Sequence, residues 1–98
     1  MKPEAGEIWL ADRGDETRRL VFVISDARFH RLADRAVVAP VLEELPAAPR
    51  PWHVRLDDRA VAVNLLGTLP LDRLLERVER APFDTLRRVR RAVREITN

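Results

Sequence analysis

Two short apolar stretches, separated by one charged loop, constrain the fold more than any other part of the chain. A Gly6-Glu7 pair leads into Ile8-Trp9-Leu10-Ala11, which predicts a short strand over residues 8–11. Residues 12–18 (DRGDETR) are a loop, with Gly14 and Asp15 as turn formers. Arg18 and Arg19 then open residues 20–24 (LVFVI), a continuous apolar run suited to a strand covered on both faces. Two guanidinium groups thereby stand at the mouth of a sheet, where a phosphate can sit.

The rest of the chain reads as further short strands and then helices. Ser25-Asp26 can cap a helical turn over residues 27–32. Residues 36–42 (AVVAPVL) predict a third strand. Pro40 cannot donate a ladder hydrogen bond, so this strand is expected to bulge or to end at an edge there. Residues 43–51, with three prolines, predict an irregular loop. Residues 52–56 alternate: Trp52, Val54 and Leu56 face one way, His53 and Arg55 the other. Asp57-Asp58 marks a turn, and residues 61–66 predict a strand that Gly67 bends. Leu71, Leu74, Leu75 and Val78 share a helical face, which predicts a helix. Pro82 breaks that pattern. Phe83, Leu86, Val89, Val93 and Ile96 then define a second amphipathic helix, with Arg87, Arg88, Arg90, Arg91 and Arg94 on its other face. Short strands followed by terminal helices imply a mostly β fold built on a small, strongly bent antiparallel sheet.

Ninety-eight residues suggest one domain, 1–98. A chain this short leaves much of its surface exposed, and self-association is a common remedy. With no cysteine, neither a disulfide nor a thiolate metal site is possible, and a reducing cytoplasm is compatible. Two histidines do not make a metal site. No apolar run reaches the length that spans a bilayer, and there is no signal-peptide pattern at the N-terminus. The expectation is a soluble, cytoplasmic protein without a metal or other cofactor. The basic residues are 17 arginines and one lysine, against a net charge of only +2. Arginine forks match phosphate geometry, but a GC-rich genome also favours arginine, so composition alone does not establish nucleic-acid binding.

The order of residues 6–25 resembles the opening of MazF/PemK-type toxins, the small ribonucleases of toxin–antitoxin pairs. That opening reads Gly-(Glu/Asp)-(Ile/Val)-aromatic-x-x-Asp, then Gly-Ser-Glu, then Arg-Pro-Val-x-Val-(Ile/Val)-Ser. Here Gly14-Asp15-Glu16 stands for Gly-Ser-Glu, Arg19 for the arginine and Leu20 for the proline. The likeness continues more weakly through residues 36–40, 52–56 and 63–69. It implies an SH3-like barrel with C-terminal helices, a homodimer, a cognate antitoxin and single-stranded RNA as substrate, with no membrane partner.

The resemblance also implies roles for particular residues. Arg19 matches the arginine that stabilises the extra negative charge of a pentacoordinate phosphorane during cleavage through the 2′-hydroxyl. Glu16 matches an acidic loop residue that takes the 2′-hydroxyl proton or orients Arg19. Arg13, Thr17, Arg18, Arg50, His53 and Arg55 are the remaining candidates for RNA contact. His53, on the polar face of its strand, is also a candidate acid or base near neutral pH. The chain departs from the pattern after the third strand. The family has Pro-(Ile/Val/Leu/Cys)-(Thr/Ser), whose hydroxyl helps hold the scissile phosphate, whereas Pro40-Val41 is followed here by Leu42. Leucine donates no hydrogen bond, and the next residues, Glu43 and Glu44, repel phosphate.

Two readings therefore remain open at the level of sequence. One is a metal-independent endoribonuclease (an mRNA interferase). The other is a non-catalytic or divergent toxin on the same fold, either a poison of a protein target like CcdB or a module that only binds its antitoxin. Residues 94–98 (REITN) lack the tryptophan-glycine pair that CcdB-type proteins use to engage gyrase.

Overall fold

The computed structural model describes residues 2–12, 14 and 17–97. The chain runs β1 (Glu7–Asp12), β2 (Arg18–Val23), α1 (Ala27–Ala33), β3 (Arg35–Leu42), β4 (His53–Leu56), β5 (Arg59–Ala62), β6 (Gly67–Pro70), β7 (Leu74–Arg80) and α2 (Phe83–Thr97). All pairings are antiparallel. The strands follow the path β4-β5-β3-β2-β1-β7, with β6 also on β3. No pairing joins β4 to β7 among the described residues, so the sheet is open along this path and the expected closed barrel is not found. A mostly β antiparallel sheet with one C-terminal helix replaces the expected barrel with terminal helices.

The two faces of β1, β2 and β3 carry separate cores, as alternation along each strand requires. Ile8, Phe22, Ala39 and Val41 meet Val54, Leu56, Val61 and the buried side of α2. Trp9, Ala11, Val21, Val23, Ala36 and Val38 form the second cluster with Leu74, and Leu69 and Leu71 pack against it. The continuous run at residues 20–24 is apolar throughout because both of its faces are covered.

β3 does not end at Pro40. It is an interior strand, with Pro40 across from Val21 of β2. On its other side β3 pairs β6 through Val38 and β5 from Val41 onward. The proline thus falls where that side changes partner and its missing N–H breaks no continuous ladder. The strand expected over residues 61–66 stops at Ala62, and Val63–Leu65 form a 3-10 turn before β6.

The segment expected to be a helix around Leu71–Val78 is a strand. β7 pairs β1 from Glu7 opposite Arg80 to Ala11 opposite Leu74, with two register shifts. The helical spacing of four aliphatic residues is real, but Leu75 and Val78 are exposed and only Leu74 is buried. Local periodicity loses here to the unpaired edge of β1 and to ion pairs from Arg77 and Arg80 onto Glu7. Within α2, the inward stripe is Thr85, Val89 and Ala92, flanked by Leu86 and Val93. Phe83, expected on that stripe, is 80% exposed.

Gly6 carries the Gly-Glu start of β1. Its φ of 90° is a conformation that L side chains rarely adopt. In it, the Gly6 amide donates to Val23 O at 2.8 Å while its carbonyl accepts from Ala81 N at 2.9 Å. One residue thereby ties β1 to β2 and to the approach of α2.

Candidate functional site

β2 begins at Arg18, directly after the loop, so both guanidinium groups leave the sheet at its rim; Arg18 and Arg19 are exposed. Val21 of β2 lies opposite Pro40 of β3. Extending that register by two residues on each strand brings Arg19 across from Leu42. The two residues share one groove of about 850 Å³, also walled by Leu10, Arg18, Glu43 and Glu44 and closed by residues 45–47. Leu42, the last residue of β3, thus stands next to Arg19. Two carboxylates and two guanidinium groups share the rim, so the groove's formal charge is balanced.

Thr68 lines, together with Arg19, a hollow between β2, β3 and β6. It lies opposite Val37 in the β3–β6 ladder, whereas the Arg19 face carries Val38 and Pro40. Its Oγ1 accepts from Arg35 Nε at 3.0 Å. Thr17 is exposed just before β2. Arg13 and Glu16 lie outside the described residues.

This hollow, beside the groove, measures about 120 Å³ and is lined by Val21, Val38, Pro40, Leu65, Thr68 and Leu69 with Gly67 in its wall. Arg19 and Pro40 border both spaces. Sequence reasoning missed this hollow; its one signal was a glycine in a strand, which often marks close approach of a ligand or another backbone.

The other expected RNA contacts are not gathered around Arg19. His53 and Arg55 line a separate hollow of about 340 Å³ together with Arg88, Arg91 and Glu95 of α2. His53 Nδ1 accepts from the Arg50 amide at 3.0 Å, which puts the proton of the neutral ring on Nε2. Arg55 Nε donates to Asp57 O at 2.9 Å, and Arg55 O accepts from Arg88 Nη2 at 3.1 Å. The expected set thus divides: Arg18 and Arg19 on the groove, His53 and Arg55 on the helix side, Arg50 on the loop between.

The loop before β2 is anchored at its first residue. Asp12 Oδ1 accepts from the Gly14 amide at 2.8 Å, and Arg73 approaches the Asp12 carboxylate to 3.8 Å. Gly14 has φ 93° and lies against the Arg73 guanidinium, so a side chain here would be strained. Arg73, a partner of this loop, is another residue that sequence reasoning missed.

The most buried charge, Glu7, holds the opposite end of β1. Burial works to raise its carboxyl, but the Glu4 amide, the Trp9 indole and the Arg77 and Arg80 guanidinium groups outweigh it, and the group sits below the ordinary carboxylate value. A second polar anchor is His30, 4% exposed. Its Nδ1 lies 3.0 Å from Pro3 O, which can only accept, so Nδ1 donates and Nε2 accepts from the Ser25 hydroxyl at 2.7 Å. Ser25 Oγ also accepts from the Val37 amide at 2.8 Å. The N-terminal segment, α1 and β3 are joined through these two side chains, and Asp26 caps α1 through the Phe29 amide. Among the described residues no three His, Cys, Asp or Glu side chains are grouped as metal ligands. No helix among them is long and apolar enough to cross a membrane.

Solved structures share this architecture. A MazE–MazF complex from Deinococcus radiodurans is similar at a TM-score of 0.82 and 24% identity, covering 99% of this chain and 97% of the other. An endoribonuclease in complex with its cognate antitoxin, from a mycobacterial species, is similar at a TM-score of 0.84 and 16% identity, covering 97% and 94%. The toxin MazF-mt6 of Mycobacterium tuberculosis gives 0.77 and 14% over 93% and 95%. At these identities the likeness speaks for the fold. No curated protein matches the chain in sequence. The decisive match is to a family of sequences and covers residues 4–97, nearly the whole chain. The chain belongs to the PemK-like, MazF-like toxins of type II toxin–antitoxin systems.

Proposed function

We propose that this toxin is a metal-independent endoribonuclease for single-stranded RNA, with Arg19 as its charge-stabilising group. The observation that carries the reading is the exposed Arg19 on a groove of about 850 Å³ in a chain of this family. Single-stranded RNA can splay its bases into such a groove. The 2′-hydroxyl oxygen attacks the adjacent phosphorus and the bond to O5′ breaks. The products are a 2′,3′-cyclic phosphate and a free 5′-hydroxyl. Arg19 binds the phosphorane oxygens more strongly than the ground-state phosphate, because their charge is greater. Glu16, three residues upstream in the loop, is the proposed proton acceptor. His53 is a weaker candidate, because its hollow shares no lining residue with the groove.

The working protein is a single-domain homodimer that binds a cognate antitoxin, whose segment covers the groove between residues 12–18 and 43–51. Related toxins have been crystallised with their antitoxins. The test is incubation of purified protein with mixed RNA in EDTA, followed by mapping of the cut ends. Cyclic phosphate ends with wild-type protein and none with a folded Arg19→Ala variant are expected.

The second reading, a toxin or antitoxin-binding module without ribonuclease activity, draws its support from Leu42. An aliphatic side chain sits beside Arg19 where a hydroxyl would help hold phosphate, and Glu43 and Glu44 repel it. Intact RNA after that incubation, with growth arrest still produced in cells, would establish it.

A further inference from the structure

We infer that the outer face of α2 is a docking track for single-stranded RNA outside the cleavage groove, with Phe83 taking an unpaired base and Arg87, Arg90 and Arg94 the phosphates beside it; from the ribonuclease reading this takes only that RNA is the ligand. Positions 83, 87, 90 and 94 are four, three and four residues apart, so they form one stripe along the helix. Phe83 stands at the head of that stripe and is 80% exposed. Among the described residues its ring contacts no other aromatic ring. The core does not use it, since Thr85, Val89 and Ala92 make the buried side of the helix.

The fold leaves much of the charge unused as well. α2 carries five arginines against Asp84 and Glu95, a surplus of three, whereas the whole chain is only +2. The rest of the molecule is therefore net negative. An arginine bias of composition alone would spread the charge; here it is gathered on one element. Arg88 pairs with Asp84 and Arg91 with Glu95, and Arg90 Nη2 donates to Ile24 O at 3.0 Å. Arg87 and Arg94 have neither an ion-pair nor a hydrogen-bond partner among the described residues. Like charges three and four apart destabilise a helix, and bound phosphates would offset that repulsion. A hollow of about 320 Å³ lies among the five guanidinium groups and shares no lining residue with the Arg19 groove. A phosphate held there is not the scissile one. Arg90 is anchored at Ile24, just past the end of β2 that lies away from Arg19. Five residues of extended chain separate the two points by about 16 Å, a gap that RNA running on from the cut crosses in a few nucleotides.

An acidic segment of the antitoxin and a second copy of this chain are the other occupants to weigh. A protein interface has an apolar core inside a polar rim, and this stripe offers one apolar side chain. A second copy would set arginines against arginines. A stacking ring in line with forked cations suits a single strand of any sequence.

The test compares wild type, Phe83→Ala and the double variant Arg87→Gln/Arg94→Gln, each verified as folded by circular dichroism. Binding is titrated at several salt concentrations with uncleavable 2′-O-methyl RNA of two lengths, about 6 nucleotides and about 30 nucleotides, the longer exceeding what a small domain covers. Cleavage of the matching natural strands, antitoxin affinity and light-scattering mass are measured in parallel. On the long strand Phe83→Ala should bind roughly 5-fold or more weakly with an unchanged salt slope. The double variant should give a slope of log affinity against log salt shallower by about 1.4, for two lost phosphate contacts. Both should bind and cut the short strand as wild type does. If both bind the long strand as wild type does, the track is wrong, and the ribonuclease reading stands as long as wild type cuts RNA. An equal loss on short and long strands would mean that the variants act through the groove, which also overturns the track. A change confined to antitoxin affinity or to the mass would identify a protein as the occupant, with the same consequence. Wild type that holds the long strand through α2 yet cuts nothing would keep the track and remove the ribonuclease reading; wild type that neither binds nor cuts RNA overturns both.

Discussion

Glu7 Oε1 accepts a hydrogen bond from Trp9 Nε1 at 3.1 Å, two residues along the same strand. Alternation puts both side chains on one face of β1, so the buried carboxylate and the buried indole satisfy each other. Oε2 of the same carboxylate takes Arg77 at 3.1 Å and Arg80 at 3.2 Å. The acidic residue of the Gly-Glu opening thus fastens β7 to β1, a structural role at the end of the strand away from the Arg19 loop.

This arrangement sets an acid dependence. The folded-state pKa of Glu7 lies below its ordinary value of 4.5. Its contribution is therefore complete above that value and is lost as pH falls through the lowered folded value. Glu7→Gln should cost about 1–3 kcal/mol at pH 7 and show a shallower loss of stability on acidification below the ordinary carboxylate value. Urea unfolding of both proteins at a series of pH values checks this. Parallel curves would mean that Glu7 is not the group responsible.

His30→Ala removes the donor to Pro3 O and the acceptor for Ser25 in one change. Leaving buried partners unpaired costs about 1–3 kcal/mol, and each kcal/mol lowers the melting temperature of a domain this size by about 4–8 °C. Scanning calorimetry measures the shift. Ribonuclease activity well below that melting point should be unchanged, because His30 borders neither the groove nor the hollow beside it.

Leu42→Thr should raise RNA cleavage. One hydrogen bond to a developing oxyanion is typically worth about 10²–10³ in rate, and the loop has not been shaped for the new group, so about 10-fold is expected. Leu42 is only half-buried, which limits the penalty for the added hydroxyl. Initial rates on a fixed oligonucleotide, with circular dichroism to verify folding, decide the matter. A folded variant that is no faster would show that the hydroxyl is not what the site lacks.

Arg19→Ala should weaken RNA binding in a salt-dependent way. Each phosphate contact on a single strand contributes about −0.7 to the slope of log affinity against log salt. Titrations at several salt concentrations, with 2′-O-methyl RNA to block cleavage, should give a slope shallower by about that amount. An unchanged slope would place the phosphate elsewhere, with the α2 arginines the first alternative.

Dimerisation is tested by light scattering at micromolar protein. The expected mass is about twice the 11.3 kDa of the chain, because a domain this small leaves apolar residues such as Leu65, Val78 and Phe83 in solvent. A mass equal to one chain would refute it.

The sequence alone determined the elements whose signal is local. Continuous or alternating apolar runs marked β1, β2, β3 and β4, Asp26 announced α1, and the Arg18-Arg19 pair located the groove, because periodicity, caps and turn residues act within a few residues. Only the tertiary structure decided the rest. Leu71, Leu74, Leu75 and Val78 keep helical spacing, yet β7 is a strand, since β1 presents an edge to pair and Glu7 presents a buried charge to neutralise. Part of the neighbourhood of Arg19 was hidden for the same reason. Leu65 and Gly67 stand 46 and 48 positions away in sequence, and they meet Arg19 only through the register of β2 on β3 and β3 on β6. Register depends on which faces are buried across the whole sheet, and no short stretch of chain carries that information.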